Sequence, residues 1–209
     1  MPQLNPPTHF GLLRHAQTAW NREKRIQGID DSELTPAGKI SSSRWGKYMK
    51  TMRWQRILSS DLSRALETAQ RINRYLNVPM TATPLLREMD WGDWTGKTIR
   101  QIRRQNPEAL STQEKAGWDF HAPGGENRKS VLARAVQALD KAADTWTGQR
   151  ILVITHEGVI KCIVYSLLKS RFLPQEPPIL KPEHLHTLIH DGGRLALEKI
   201  NETALKSTV

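Results

Sequence analysis

The chain has 209 residues, with 31 Lys+Arg against 21 Asp+Glu, a formal net charge of +10 with neutral histidines. That length suits a single compact domain, and 38% hydrophobic with 25% charged residues exclude a disordered or low-complexity chain. The lone Cys162 excludes an internal disulfide and a two-cysteine redox or zinc site. The opening MPQLNPPTHF has no apolar run of signal-peptide length, and the most apolar stretch, GVIKCIVYSLL, is too short for a membrane span and carries Lys161. The expectation is a cytoplasmic protein with no membrane partner. A basic balance favours anionic partners (a phosphorylated metabolite, nucleic acid or an anionic surface), but charge alone does not choose among them.

Residues 9–15 (HFGLLRH) read as a short buried strand, and 16–34 as a polar loop. Thr35-Pro36 starts a helix, with Thr as N-cap and Pro at the first helical position, running to about Met52. A strand at 56–60 (RILSS) leads into Asp61–Leu76, where Leu62, Ala65, Leu66, Ala69, Ile72 and Leu76 hold a helical period. Asn77-Val78-Pro79 ends that helix, and a third extended run follows to Met89. Residues 90–128, rich in Trp, Gly, Pro and Arg, have the poorest periodicity and read as a cap-like insertion over one face of a single domain spanning 1–209. Leu132, Ala135, Leu139, Ala142 and Trp146 mark an amphipathic helix, RILVITH (150–156) a strand, and Gly158–Lys169 a helix. A Pro-rich connection precedes a hairpin, LHTLIHD–GG–RLALEKI.

Strands alternating with helices predict an α/β fold, a three-layer α/β/α sandwich with a mainly parallel sheet. Ligands of such sheets bind beyond the carboxyl ends of the strands. Arg14-His15, Ser59–Arg64 and Thr155-His156 all stand there. Any one histidine at a strand end is more often structural than catalytic. Two imidazoles and two guanidiniums converging on one sheet edge make a phosphate cradle, because guanidinium forks match phosphoryl oxygens in pairs. Bland readings stand beside this one: Arg64 pairing with Glu67 on its own helix, and Glu88 as a surface carboxylate.

The ordered strings LLRHAQTAWN (12–21), GIDDSELTPAG (28–38), SSDLSRALETA (59–69), LLREMDWGDWTG (85–96) and ITHEGVIK (154–161) resemble the histidine phosphatase superfamily, the phosphoglycerate-mutase-like group. The resemblance implies that His15 is phosphorylated on a ring nitrogen. It implies that Arg14, Arg64 and His156 bind the transferring phosphoryl oxygens, Asn21 lies in the phosphate pocket and Glu88 donates the proton. Gln27 and Gly28, in the same loop as Asn21, are weaker candidates for phosphate contact. His15 must be neutral to attack phosphorus, and Arg14 and Arg64 disfavour its protonation. Two arginines and a protonated His156 would stabilise equatorial charge with no metal and no cofactor. The cofactor-dependent mutases of the superfamily carry a longer insertion with an Arg-His-Tyr-Gly signature, and this chain has no such string. MDWGDWTG and PGGEN (123–127) resemble the phosphatase branch, so a phosphoric monoester hydrolase is expected. Substrates implied by the family include phosphorylated sugars or glycerates, phosphoserine and ribazole phosphate. A mutase and a weakened member that binds phosphorylated ligands or a protein partner are the alternatives.

Two positions depart from the family pattern. Ala16 stands where Gly is usual, which is tolerable unless φ there is positive. Glu157 intervenes before Gly158, and is expected to point outward or to meet a cationic substrate group. Lys97–Arg104 carries four basic residues and no acid. As a helix it would turn Ile99 and Ile102 inward and set Arg100, Arg103 and Arg104 on one face, more simply a solvated face than a cap drawing in extra negative charge. One short cluster does not make a nucleic-acid surface, so none is expected as partner. Trp91, Trp94 and Trp118 read as packing before ring stacking, and exposed Trp on the insertion would permit a homodimer as well as a monomer. His184 and His186 share a strand face without a third ligand at suitable spacing, so no metal site is expected. Cys162 reads as a small core residue.

Overall fold

The protein is described here by a computed structural model covering residues 6–202. Six strands form one sheet in the order β3-β2-β4-β1-β5-β6. They are β1 (Thr8–Arg14), β2 (Arg56–Ser60), β3 (Met80–Thr83), β4 (Arg150–Thr155), β5 (His186–Asp191) and β6 (Arg194–Lys199). The first four pair in parallel, and β5 and β6 complete the sheet antiparallel. β1 and β4 are buried on both faces, which is why they read as unbroken apolar runs.

Two clusters divide the side chains of the sheet. Phe10, Leu12, Ile151 and Val153 pack against Val131, Leu139, Val159 and Ile163 of α6 (Arg128–Thr145) and α7 (Glu157–Leu167). Leu13, Ile57, Leu152 and Ile154 pack the other way, on Trp45, Met49, Ala65 and Ile72 of α2 (Pro36–Met49) and α3 (Ser63–Leu76). Alternation along each strand thus feeds two helical layers, the expected three-layer sandwich.

The start of α2 is as expected, with the Thr35 side chain accepting from the Gly38 amide and Pro36 at the first position. Gly192 and Gly193 take φ of 54° and 77°, the positive pair a two-residue hairpin turn requires. Three expectations need correction. The extended run to Met89 stops at Thr83: Pro84 opens a 3-10 turn to Leu86, with the Thr83 hydroxyl accepting from the Leu85 amide. The polar stretch 16–34 contains a one-turn helix, α1 (Ala19–Arg22), closed by a capping box between Thr18 and Asn21. Residues 90–128 hold two short helices, α4 (Ile99–Gln105) and α5 (Pro107–Lys115), started by Thr98 and Asn106 caps. None of the insertion's tryptophans is exposed: Trp94 is buried, and Trp91 and Trp118 are half-buried. No described helix is long and apolar enough to cross a membrane.

Candidate active site

The carboxyl ends of β1, β2 and β4 meet at one edge of the sheet. The His15 amide donates to Thr155 O at 2.8 Å, carrying the β1–β4 ladder one residue further and setting the two histidine-bearing turns side by side. The His15 and His156 ring centroids are 5.1 Å apart. The His15 Nδ1 lies 2.8 Å from the Ala16 carbonyl, which can only accept, so the proton sits on Nδ1 and Nε2 keeps its lone pair. Burial, then the charges of Arg14 and Arg64, hold the His15 ring well below the ordinary imidazole value. Ala16 has no positive φ, so the departure from Gly carries no strain, and its amide donates to Thr68 Oγ1.

Arg64 occupies the first turn of α3 with its side chain fully buried. Its guanidinium donates to Gly28 O and Asp30 O, both at 2.6 Å, and to Asp31 Oδ1 at 2.9 Å. Asp31 also accepts from the Ser63 amide at 2.8 Å, capping a helix whose own N-cap, Leu62, has no side-chain acceptor. The suggested Arg64–Glu67 pair is absent, and Glu67 meets Arg71 instead. Gly28, at φ 54°, turns its carbonyl to Arg64 in a conformation that disfavours other residues.

Burial, then His15, Arg64 and Arg14, hold His156 well below the ordinary imidazole value. In the free site these surroundings disfavour the protonated form of His156. Its Nε2 meets Ser60 Oγ at 2.9 Å. Three buried nitrogens around His15 have no partner among the described residues: Arg14 Nε, Arg64 Nε and His156 Nδ1. Gln27 Oε1 shares that condition. The Asn21 side-chain oxygen accepts from the Thr18 amide, leaving its Nδ2 hydrogens for the cavity it lines.

Glu88 follows the 3-10 turn and lies against the start of α7. Its Oε1 accepts from the Met89 amide at 2.8 Å and its Oε2 from the Gly158 amide at 3.2 Å. Arg134 donates to the carbonyls of Leu85, Arg87 and Glu88 and pairs with Glu126 of PGGEN, pinning the segment that carries Glu88. Glu157, its side chain still 44% exposed, joins Arg14 at 2.5 Å and Lys161 at 2.6 Å on the wall of the site. Burial pushes its carboxyl upward, and those two cations with their hydrogen bonds more than offset it, so its pKa falls.

His15, Arg14, Asn21, Gln27, Gly28, Arg64 and Glu88 all border one cavity of about 400 Å³, with His156 buried behind His15. Sequence reasoning missed Asp31, Thr68, Arg128 and Phe172, which act through contacts with no local signature. Ile99 was expected to face inward with Ile102. Only Ile102 is buried, and Ile99 borders the cavity. Trp91 borders it too, while Trp94 and Trp118 pack against Phe120 and Phe172. Cys162 is buried, and that burial pushes its thiol to about 12. His184 and His186 are bound to Pro182 O and the Asn201 amide. Among the described residues no group of three His, Cys, Asp or Glu is placed to hold a metal.

Residues 10–203 match the family model of the histidine phosphatase superfamily, branch 1. Over 155 residues, 73% of this chain and 67% of the relative, the sequence is 36% identical to phosphoglycerate mutase-like protein 4 of Arabidopsis thaliana. The fold is similar to that of Bacillus stearothermophilus YhfR, with a TM-score of 0.85, 30% identity, and 95% and 98% of the two chains covered. It is also similar to a mycobacterial glucosyl-3-phosphoglycerate phosphatase in complex with VO3, at a TM-score of 0.79 and 26% identity over 93% and 99% of the chains. With its site geometry and a match across nearly its whole length, the chain belongs to the histidine phosphatase superfamily, branch 1.

Proposed function

We propose that this protein hydrolyses a small phosphomonoester through a phosphohistidine on His15, without a metal, with residues 90–128 as the cap of its cavity. The observation that carries the reading is the His15 ring itself. Its Nδ1 proton is spent on Ala16 O, its pKa is depressed, and unpartnered Arg14, Arg64 and His156 nitrogens surround it.

In the first step Nε2 attacks phosphorus and the bond to the leaving oxygen breaks. Arg14 and Arg64 hold the equatorial oxygens, and the Glu88 carboxyl gives its proton to the departing alkoxide. In the second step Glu88, now a carboxylate, takes a proton from water as that water attacks phosphorus. The P–N bond breaks, leaving orthophosphate and free His15. A phosphoryl dianion beside His156 raises its proton affinity again, which restores the positive charge the free site withholds.

The test is phosphate release from a panel of phosphomonoesters in excess chelator, wild type beside His15→Ala. Release should survive chelation and fall by at least about a thousandfold in the variant, the scale on which a lost nucleophile is felt. Glu88→Gln should slow alkyl esters more than activated nitrophenyl esters; equal losses would leave Glu88 a positioning role only. The mutase reading draws on the name of the Arabidopsis relative. It gains if His15 becomes phosphorylated while no ester releases phosphate. No release and no labelled His15 would leave a binding protein.

A further inference from the structure

Five cations border the active-site cavity: Arg14, Arg25, Arg64, Arg128 and Lys161. Four have a carboxylate of this chain at ion-pair distance: Arg14 and Lys161 share Glu157, Arg25 has Glu23 and Arg64 has Asp31. Among the described residues Arg128 has none at that distance.

Its setting makes that expensive. The guanidinium lies between the rings of Phe120 and Phe172, 4.3 Å from each centroid, and burial there lowers its pKa. One nitrogen donates to Gly117 O at 2.7 Å and more weakly to Phe172 O at 3.5 Å, so the fork is fixed in place. Arg128 is also the first residue of the 18-residue helix α6, where the helix dipole opposes a cation. Phe172, which clamps it, has φ 62°, a left-handed conformation that a bulky residue adopts at a cost. A half-buried, immobilised charge with no carboxylate partner on the wall of a reaction cavity is stabilised by an anion arriving from outside.

We propose that Arg128 is an anion subsite of this cavity, so that the phosphomonoester the protein acts on carries a second anionic group, carboxylate or phosphate, on its leaving alcohol. The inference rests on the phosphatase reading above. Phe172 and Ile99 on the same wall add apolar surface beside the anion. A purely structural clasp between α6 and the 170–173 segment, held by the ring faces and the two carbonyls, would leave turnover indifferent to a second charge on the substrate.

Matched esters separate the two. One pair is 3-carboxyphenyl and 3-carbamoylphenyl phosphate, equal in shape and differing in charge. The carboxamide is the better leaving group, so any preference for the carboxylate runs against intrinsic reactivity. A second pair, propane-1,3-diol bisphosphate and 3-hydroxypropyl phosphate, reports a phosphate in the subsite. The wild type should favour the charged member of at least one pair by about tenfold in kcat/KM, the size of a charge-assisted hydrogen bond. Arg128→Met should bring that ratio toward one, Arg128→Lys should keep part of it, and Arg100→Met, on exposed α4, should leave it intact. A wild-type ratio near one in both pairs overturns the subsite and leaves the phosphatase reading standing. So does a ratio that survives Arg128→Met. If Arg128→Met does not fold, the wild-type ratios and the lysine variant decide. Phosphate release from no ester, 4-nitrophenyl phosphate included, overturns the phosphatase reading and the subsite with it.

Discussion

Glu157 places a negative charge on Arg14, the arginine to which the proposed mechanism also gives the phosphoryl group. Glu157→Gln keeps an acceptor for Arg14 at the same place and removes the charge. Orthophosphate should then inhibit about three- to tenfold more tightly at low ionic strength, with the gap closing as salt is added. A weaker inhibition constant would mean that the charge positions Arg14 rather than competing for it. Arg14, His15, Arg64 and His156 were legible because each ends or closely follows a strand whose end the apolar pattern marks. Glu157 was legible as a departure, but its direction was not. Whether a carboxylate faces solvent or an arginine 143 residues away depends on contacts that no local pattern encodes.

At the scale of elements, the first turn of α7 and the segment carrying Glu88 are fitted to each other. A Cβ at Gly158 would come within 2.3 Å of Glu88 Oε1, so Gly158→Ala must push that carboxylate away. Alanine is the better helix former by up to about 1 kcal/mol, so thermal stability should hold or rise. Turnover of alkyl phosphates should fall about tenfold or more, and that of nitrophenyl phosphate less, as measured by kcat on both beside a melting curve. Unchanged turnover of alkyl esters would remove Glu88 from the proton-transfer role. β2 and the hairpin were legible in the sequence, as was the start of α2, because caps, turn residues and periodicity act within about four residues. The run reads as extended to Met89 because β-branched Thr81 and Thr83 and apolar Leu85, Leu86 and Met89 all suit a strand. The Pro84 between them stops the strand and starts a turn.

Across the whole molecule, three histidines are held neutral by the fold. Burial first, then nearby cations, depresses His15 and His156; burial and then His184 bring His186 to about 4. Below the ordinary imidazole pKa of about 6.5 the unfolded chain binds protons that the native protein refuses. The stabilisation is therefore complete above that pH and lost as pH falls toward the native values, by up to about 1.4 kcal/mol per pH unit for each histidine. Urea unfolding at pH 7.5, 6.5 and 5.5 should show stability declining with acid, and His186→Gln should remove part of the slope. A stability independent of pH over this range would mean that the three rings titrate normally in the folded state.

Length, periodicity and caps were enough to determine a mainly parallel α/β sandwich and to set four of its charged or imidazole side chains at strand ends. Those features depend on neighbours one to four residues apart, and the chain carries them wherever it goes. Tertiary structure alone decided what each charge meets: Asp31 with Arg64 across 33 residues, Arg128 against Phe172 across 44, and Glu157 with Arg14. Such pairings depend on where the sheet and its two helical layers bring distant segments together. The cavity's charge balance is for that reason a property of the fold and not of any stretch of sequence.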